Sequence, residues 1–155
     1  MPRQQRVEVD GLRALGQAMK ALGNEVGTRI ARSATAAAAK PVRREAVARI
    51  VSSPSVDTGS LRDAVIVKRA GKGETTGLTS EHLVTVRGRG KPFNKKGQKV
   101  ARAPHAHLVE FGTVNMPAEP FLRPAFEAKK REAVDEMSKA LQRGIDRAAK
   151  KAAKR

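Results

Sequence analysis

His82, His105 and His107 are the side chains of this sequence best suited to metal ligation or to proton transfer near neutral pH. His105 and His107 are two positions apart, so on a β-strand both imidazoles leave the same face, a geometry that can hold a metal ion. Such a site needs a third and a fourth ligand, and Glu110 is the one nearby carboxylate. Ordinary, partly exposed strand histidines are the simpler account. A histidine base would also need a nucleophile and an orienting acid, and no recognisable motif lines them up. Cysteine is absent, which removes thiolate nucleophiles, thiolate metal sites and disulfides. Metal-assisted phosphodiester chemistry needs clustered carboxylates, which are missing too. Gly88-Arg89-Gly90-Lys91 has the composition of a phosphate-binding loop, yet it meets neither the dinucleotide-binding nor the P-loop pattern. A flexible, solvated basic loop explains it. The expectation is therefore a protein that is no enzyme, with no catalytic residue, no metal and no cofactor.

Charge is the stronger signal. The net charge is +17, from 32 Lys and Arg against 15 Asp and Glu. Arg87, Arg89, Lys91, Lys95, Lys96, Lys99 and Arg102 follow one another without an intervening acid, and from Arg143 onward six basic residues face only Asp146. These two stretches hold twelve of the seventeen net charges, leaving a mildly basic body with a loop at 87–104 and a tail at 149–155. That distribution points to an acidic partner, either nucleic acid or an acidic protein surface, with the seven loop residues as the candidate contacts. In the tail, cations either complement the end of a helix or form a phosphate-contacting arm. Aromatic residues are 3% of the chain, all Phe, so base-stacking platforms and aromatic ligand pockets lose weight.

The length of 155 residues suits one domain, with a core rich in Ala, Val and Leu. The polar N-terminus lacks the apolar run of a signal peptide and no segment has the length of a membrane span, so a soluble intracellular product without a membrane partner is expected. Leu12, Leu15, Met19, Leu22, Val26 and Ile30 recur at helical spacing, and a second helical run through Ala34 to Val51 contains Pro41, where it should kink or restart. Together they make a helical region over 9–51. Residues 57–113 read as a β region: Leu61 to Arg69 and His82 to Arg87 as strands joined by a Gly-rich hairpin connection, and His105 to Gly112 as a third. A last helix spans about 120–148, running from about Ala125, with Phe126, Val134, Met137, Leu141 and Ile145 on its apolar face. The expected class is α+β: N-terminal helices, an antiparallel sheet of three or four strands with a long loop, and a C-terminal helix packed on the sheet.

Two segments are more specific. Val56-Asp57-Thr58-Gly59-Ser60-Leu61-Arg62-Asp63 is a turn feeding a strand, and Glu110-Phe111-Gly112-Thr113 is followed by Pro120-Phe121-Leu122-Arg123-Pro124-Ala125. Read physically, Gly59 allows a turn, Gly112 ends a strand, Pro120 and Pro124 fix the entry to the last helix, and Phe121 and Phe126 anchor it. In order and placement these segments resemble the gp10-like family of HK97-type tailed phages, over about Val9 to Leu141. The motif residues are Thr58, Gly59, Leu61 and Arg62, then Glu110, Phe111, Gly112 and Thr113, then Pro120, Phe121, Leu122, Arg123 and Pro124.

The resemblance implies a structural virion protein of the neck or tail, concerned with head-tail joining or tail completion and assembled in the host cytoplasm. It also implies a homo-oligomeric ring, expected to be a hexamer, between connector or head-completion proteins and tail-tube or tail-terminator proteins. The long basic loop and tail depart from the family's pattern; the loop would face packaged DNA in the channel or an acidic ring. The competing reading is a standalone basic nucleic-acid-binding protein whose affinity falls steeply with salt.

Overall fold

Alanine-rich sequence with apolar residues on two faces gives the longest contact of the molecule. The computed structural model describes residues 24–53, 59–70, 80–88 and 99–154, with residues 17 and 97 besides. Helix α1 (Asn24–Ser52) runs unbroken through Pro41, although an internal proline removes a helix donor and crowds the preceding turn. Pro41 is fully buried, so its ring contributes packing that offsets the lost bond, and the neighbouring alanines favour helix strongly. A restart at Pro41 does not occur. Leu12, Leu15, Met19 and Leu22 lie outside the described residues.

Helix α1 packs along the C-terminal helix, α4 (Leu122–Ala152). Ile30 meets Gly144 at one end and Arg44 pairs with Glu132 further along, so the two helices are antiparallel. Small residues permit the close approach: Ile30, Ala34, Ala140 and Leu141 form one buried cluster, flanked by Val26, Met137 and Ile145. A second cluster, Ala46, Ile50, Val65, Phe121 and Ala125, joins the other end of the pair to the sheet and is sealed by Leu61, Val84, Val86, Ala106 and Val109.

Helix α2 (Ser60–Ala64) and strand β1 (Val65–Arg69) occupy the segment expected to be one strand. Gly59 starts the turn with a φ of 64°, a left-handed conformation that glycine adopts without steric cost, and its carbonyl accepts the Asp63 N–H. Strand β2 (His82–Val86) pairs antiparallel with β1, Val65 opposite Val86 and Arg69 opposite His82. The hairpin connection falls outside the described residues.

Among the described residues the sheet therefore has two strands, not three or four. The third segment is helix α3 (Ala106–Phe111). Ala106 and Val109 both face the second cluster, and a separation of three brings two residues to one side of a helix but to opposite sides of a strand. The histidine geometry expected of a strand consequently does not arise: His105 sits at the start of α3 and His107 within it, both exposed.

The last helix reaches the sheet through Phe121, Leu122 and Ala125 at its beginning. It begins at Leu122 rather than near Ala125 and continues to Ala152, into the stretch expected to be a basic tail. Phe121 is 3% exposed, whereas Phe126 is 44% exposed and does not plug the core. Among the described residues, no helix is long and apolar enough to cross a membrane.

Candidate assembly interface

Helix α4 lacks a local cap. Its preceding residue is Phe121, whose side chain can accept no hydrogen bond, so the first amides need a partner from elsewhere. Glu110 supplies it from α3. Its Oε2 accepts from the Phe121 and Leu122 N–H groups at 2.8 and 3.0 Å, and its Oε1 accepts from the Arg123 N–H at 3.2 Å. A carboxylate at this place is favoured by both the unpaired amides and the helix dipole. The Glu-Phe-Gly-Thr and Pro-Phe-Leu-Arg-Pro segments are thus two halves of one clasp. Glu110, the one carboxylate near His105 and His107 in sequence, is occupied in joining them.

The intervening chain is tied down further. Gly112 closes α3 with φ 74° and donates its N–H to the Leu108 carbonyl at 2.8 Å. A Cβ there would stand 2.8 Å from the Ala118 nitrogen, so glycine is demanded by both conformation and space. Thr113 bridges to Met116 across a tight turn and its Oγ1 accepts from the Asn115 N–H. The Glu119 N–H bonds the Val109 carbonyl at 2.8 Å, and its carboxylate accepts from the Ser53 hydroxyl at the end of α1.

This fixed mount holds two apolar side chains out of the molecule. Phe111 is 77% exposed and Val114 fully exposed. Val114 is not singled out by the sequence pattern, although an apolar residue between Thr113 and Asn115 in a polar turn was a signal. A second apolar surface lies elsewhere, in an open cleft of about 520 Å³ between α1, β2 and α4, where Leu83 and Phe126 line the wall and remain half exposed. At its edge the Thr35 hydroxyl lies 2.8 Å from His82 Nδ1 and 3.3 Å from the Ser80 hydroxyl. Burial, with Arg69 opposite on the hairpin, holds the His82 imidazole below its ordinary pKa.

The remaining motif residues scatter. Thr58 lies outside the described residues. Leu61 packs against the second cluster, while Arg62 is exposed and pairs with its neighbour Asp63 at 2.8 Å, holding that carboxyl below its usual value. Pro120 and Arg123 are exposed, and Pro124 occupies the first turn of α4, where its missing N–H is harmless. Of the basic loop, Arg89, Lys91, Lys95 and Lys96 lie outside the described residues; Lys99 and Arg102 are exposed. Arg87 is half-buried, and its backbone joins the Ala64 carbonyl to the Ala103 N–H at 2.9 Å each, which brings the return of the loop back to the sheet.

A helix pair bearing one short hairpin, with its motif residues engaged in fixing a projecting turn, defines a small α+β module. The chain belongs to the family described as "Bacteriophage HK97-gp10, putative tail-component", whose model matches residues 13–112. The match contains Glu110, Phe111 and Gly112 and stops before Pro120 to Pro124, the other half of the clasp. No curated protein and no solved structure matches the chain. Family membership makes it a phage structural protein whose place is the virion and whose partners are other virion proteins.

Proposed function

We propose that this protein is a non-catalytic head-tail joining or tail-completion component, assembling with copies of itself into a ring between connector and tail-tube or tail-terminator proteins. The observation that carries the reading is the clasped turn with Phe111 and Val114 held in solvent. Leaving a large apolar side chain exposed forgoes about 1.5–3 kcal/mol of burial, and a rigid mount avoids the ordering cost of docking it. The Leu83 and Phe126 cleft is a different surface of the same chain. Contacts between unlike surfaces of identical subunits are head-to-tail and close into rings when the rotation permits. Formation in the host cytoplasm and residence in the neck follow from this reading.

Negative-stain imaging and light scattering on the full chain, alone and mixed with connector and tail-tube proteins, test it. Rings are expected, and the Phe111→Ser, Val114→Ser double variant should lose them while keeping its helical circular dichroism. Monomers in every mixture would exclude ring assembly.

A further inference from the structure

The charge of α4 is divided along its length. Up to Lys139, acids and bases are interleaved and several of them pair: Lys129 and Arg44 with Glu132, Lys130 with Glu127, Lys139 with Glu136. Beyond Lys139 the pattern stops. Arg143, Arg147, Lys150, Lys151 and Lys154 are exposed, and among the described residues no ion pair joins them to a carboxylate. Asp146, the one acid there, accepts from Gln142 at 3.2 Å. Because Ile30 packs on Gly144 and the helices are antiparallel, exposed Arg29 and Arg32 of α1 lie at this same end of the pair.

Complementing the helix dipole explains only part of this. That effect fades within the last turn, which contains Lys150 and Lys151 but neither Arg143 nor Arg147. On helical geometry Arg143, Arg147 and Lys150 fall within about 60° of one another over roughly 10 Å of axis, forming a stripe. Among the described residues, the exposed large apolar ones, Val51, Leu83, Phe111, Val114 and Phe126, are all absent from this end of α4. A protein interface needs an apolar centre with charge at its rim; a row of phosphates needs cations alone.

We infer that this end of the helix pair binds the phosphate backbone of duplex DNA without reading its sequence, with Arg143, Arg147 and Lys150 as the principal contacts. No ring is needed, so the inference stands apart from the assembly reading. The stripe carries no aromatic side chain for stacking on single-stranded bases.

The test is anisotropy of a short fluorescent duplex with the full-length protein between about 50 and 200 mM salt. Replacing Arg143, Arg147 and Lys150 together by Gln should flatten the slope of log K against log salt by up to about 2.7, or 0.9 per contact. Replacing Lys129, Lys130 and Arg131 by Gln removes the same charge from the same helix and should leave most of the slope. Arg143→Lys with Arg147→Lys should retain binding, since phosphate neutralisation requires charge more than fork geometry. Circular dichroism on each variant verifies the helix. An unchanged slope in the first variant, or equal losses in the two Gln triples, would overturn the inference. Competition by polyglutamate as effective as that by unlabelled duplex would overturn it in favour of an acidic protein partner.

Discussion

Truncating Glu110 to Ala removes the clasp and should cost far more than an exposed carboxylate on a helix normally does. Two of its three hydrogen bonds, to the Phe121 and Leu122 N–H groups, are partly shielded; the third, to Arg123, is exposed and water can replace it. Losing a cap costs about 0.5–2 kcal/mol, and losing the charge at a helix start another 0.3–1, up to about 2 where partly buried. We expect about 3 kcal/mol, which for a chain of this size lowers Tm by roughly 6–12 °C. Glu110→Gln keeps one acceptor without the charge and should fall about midway. The reference is Glu136→Ala, which removes a carboxylate paired only with exposed Lys139 and should cost no more than about 0.5 kcal/mol. Urea unfolding followed by circular dichroism gives all three values. If Glu110→Ala and Glu136→Ala agree within about 0.5 kcal/mol, the two motif halves are not held together by this carboxylate.

Gly112→Ala combines a positive φ with a Cβ 2.8 Å from the Ala118 nitrogen; it should cost at least about 2 kcal/mol and speed proteolysis between Phe111 and Phe121, both readable by thermal melts and mass spectrometry. Gly144→Ala would gain about 1 kcal/mol of helix propensity but sets a Cβ 2.7 Å from Ile30 Cγ2, a stiff branched atom in a packed seam, so overpacking of about 1–3 kcal/mol should win. In an Ile30→Ala background the obstructing atom is gone, and Gly144→Ala should turn stabilising; the same sign in both backgrounds would refute the close approach. His82, held below its ordinary pKa by burial and by Arg69, favours the neutral form when folded. Its contribution is therefore full above the unfolded value of about 6.5 and declines as pH falls below it toward the lower folded value. Relative to His82→Gln, the native chain should lose stability in that acid window, and parallel pH profiles would refute the coupling.

The long helices were legible because their burial repeats at helical spacing over many residues, and the hairpin because β-branched runs flank glycine. Two features were hidden for physical reasons. Helix α4 is capped from eleven residues away, so a rule that searches for Ser, Thr, Asp or Asn at the helix start finds Phe121 and places the start too late. In α3 the apolar residues Leu108 and Val109 adjoin, and six residues carry too little periodicity to separate helix from strand. The deciding fact, that Ala106 and Val109 meet the same cluster, is tertiary.

The error about α3 also hid the candidate site. As a strand, the segment would have placed Phe111 and Gly112 at a sheet end and the two histidines on a common face. As a short helix stopped by Gly112, it turns Phe111 outward and directs the Glu110 carboxylate back to the start of α4, three amides from one side chain. The same glycine thus sets both the clasp and the projecting apolar turn, which is why the motif joins a charged residue, an aromatic one and a glycine without any of them serving catalysis. Among the described residues, exposed cations with no ion pair to a carboxylate gather at the far end of α4, beyond Lys139. Apolar projection and unpaired charge therefore occupy separate surfaces, and substitutions in one should leave the other's behaviour intact: Phe111→Ser, Val114→Ser should keep the salt slope of DNA binding, and the Arg143, Arg147, Lys150 variant should keep the oligomer.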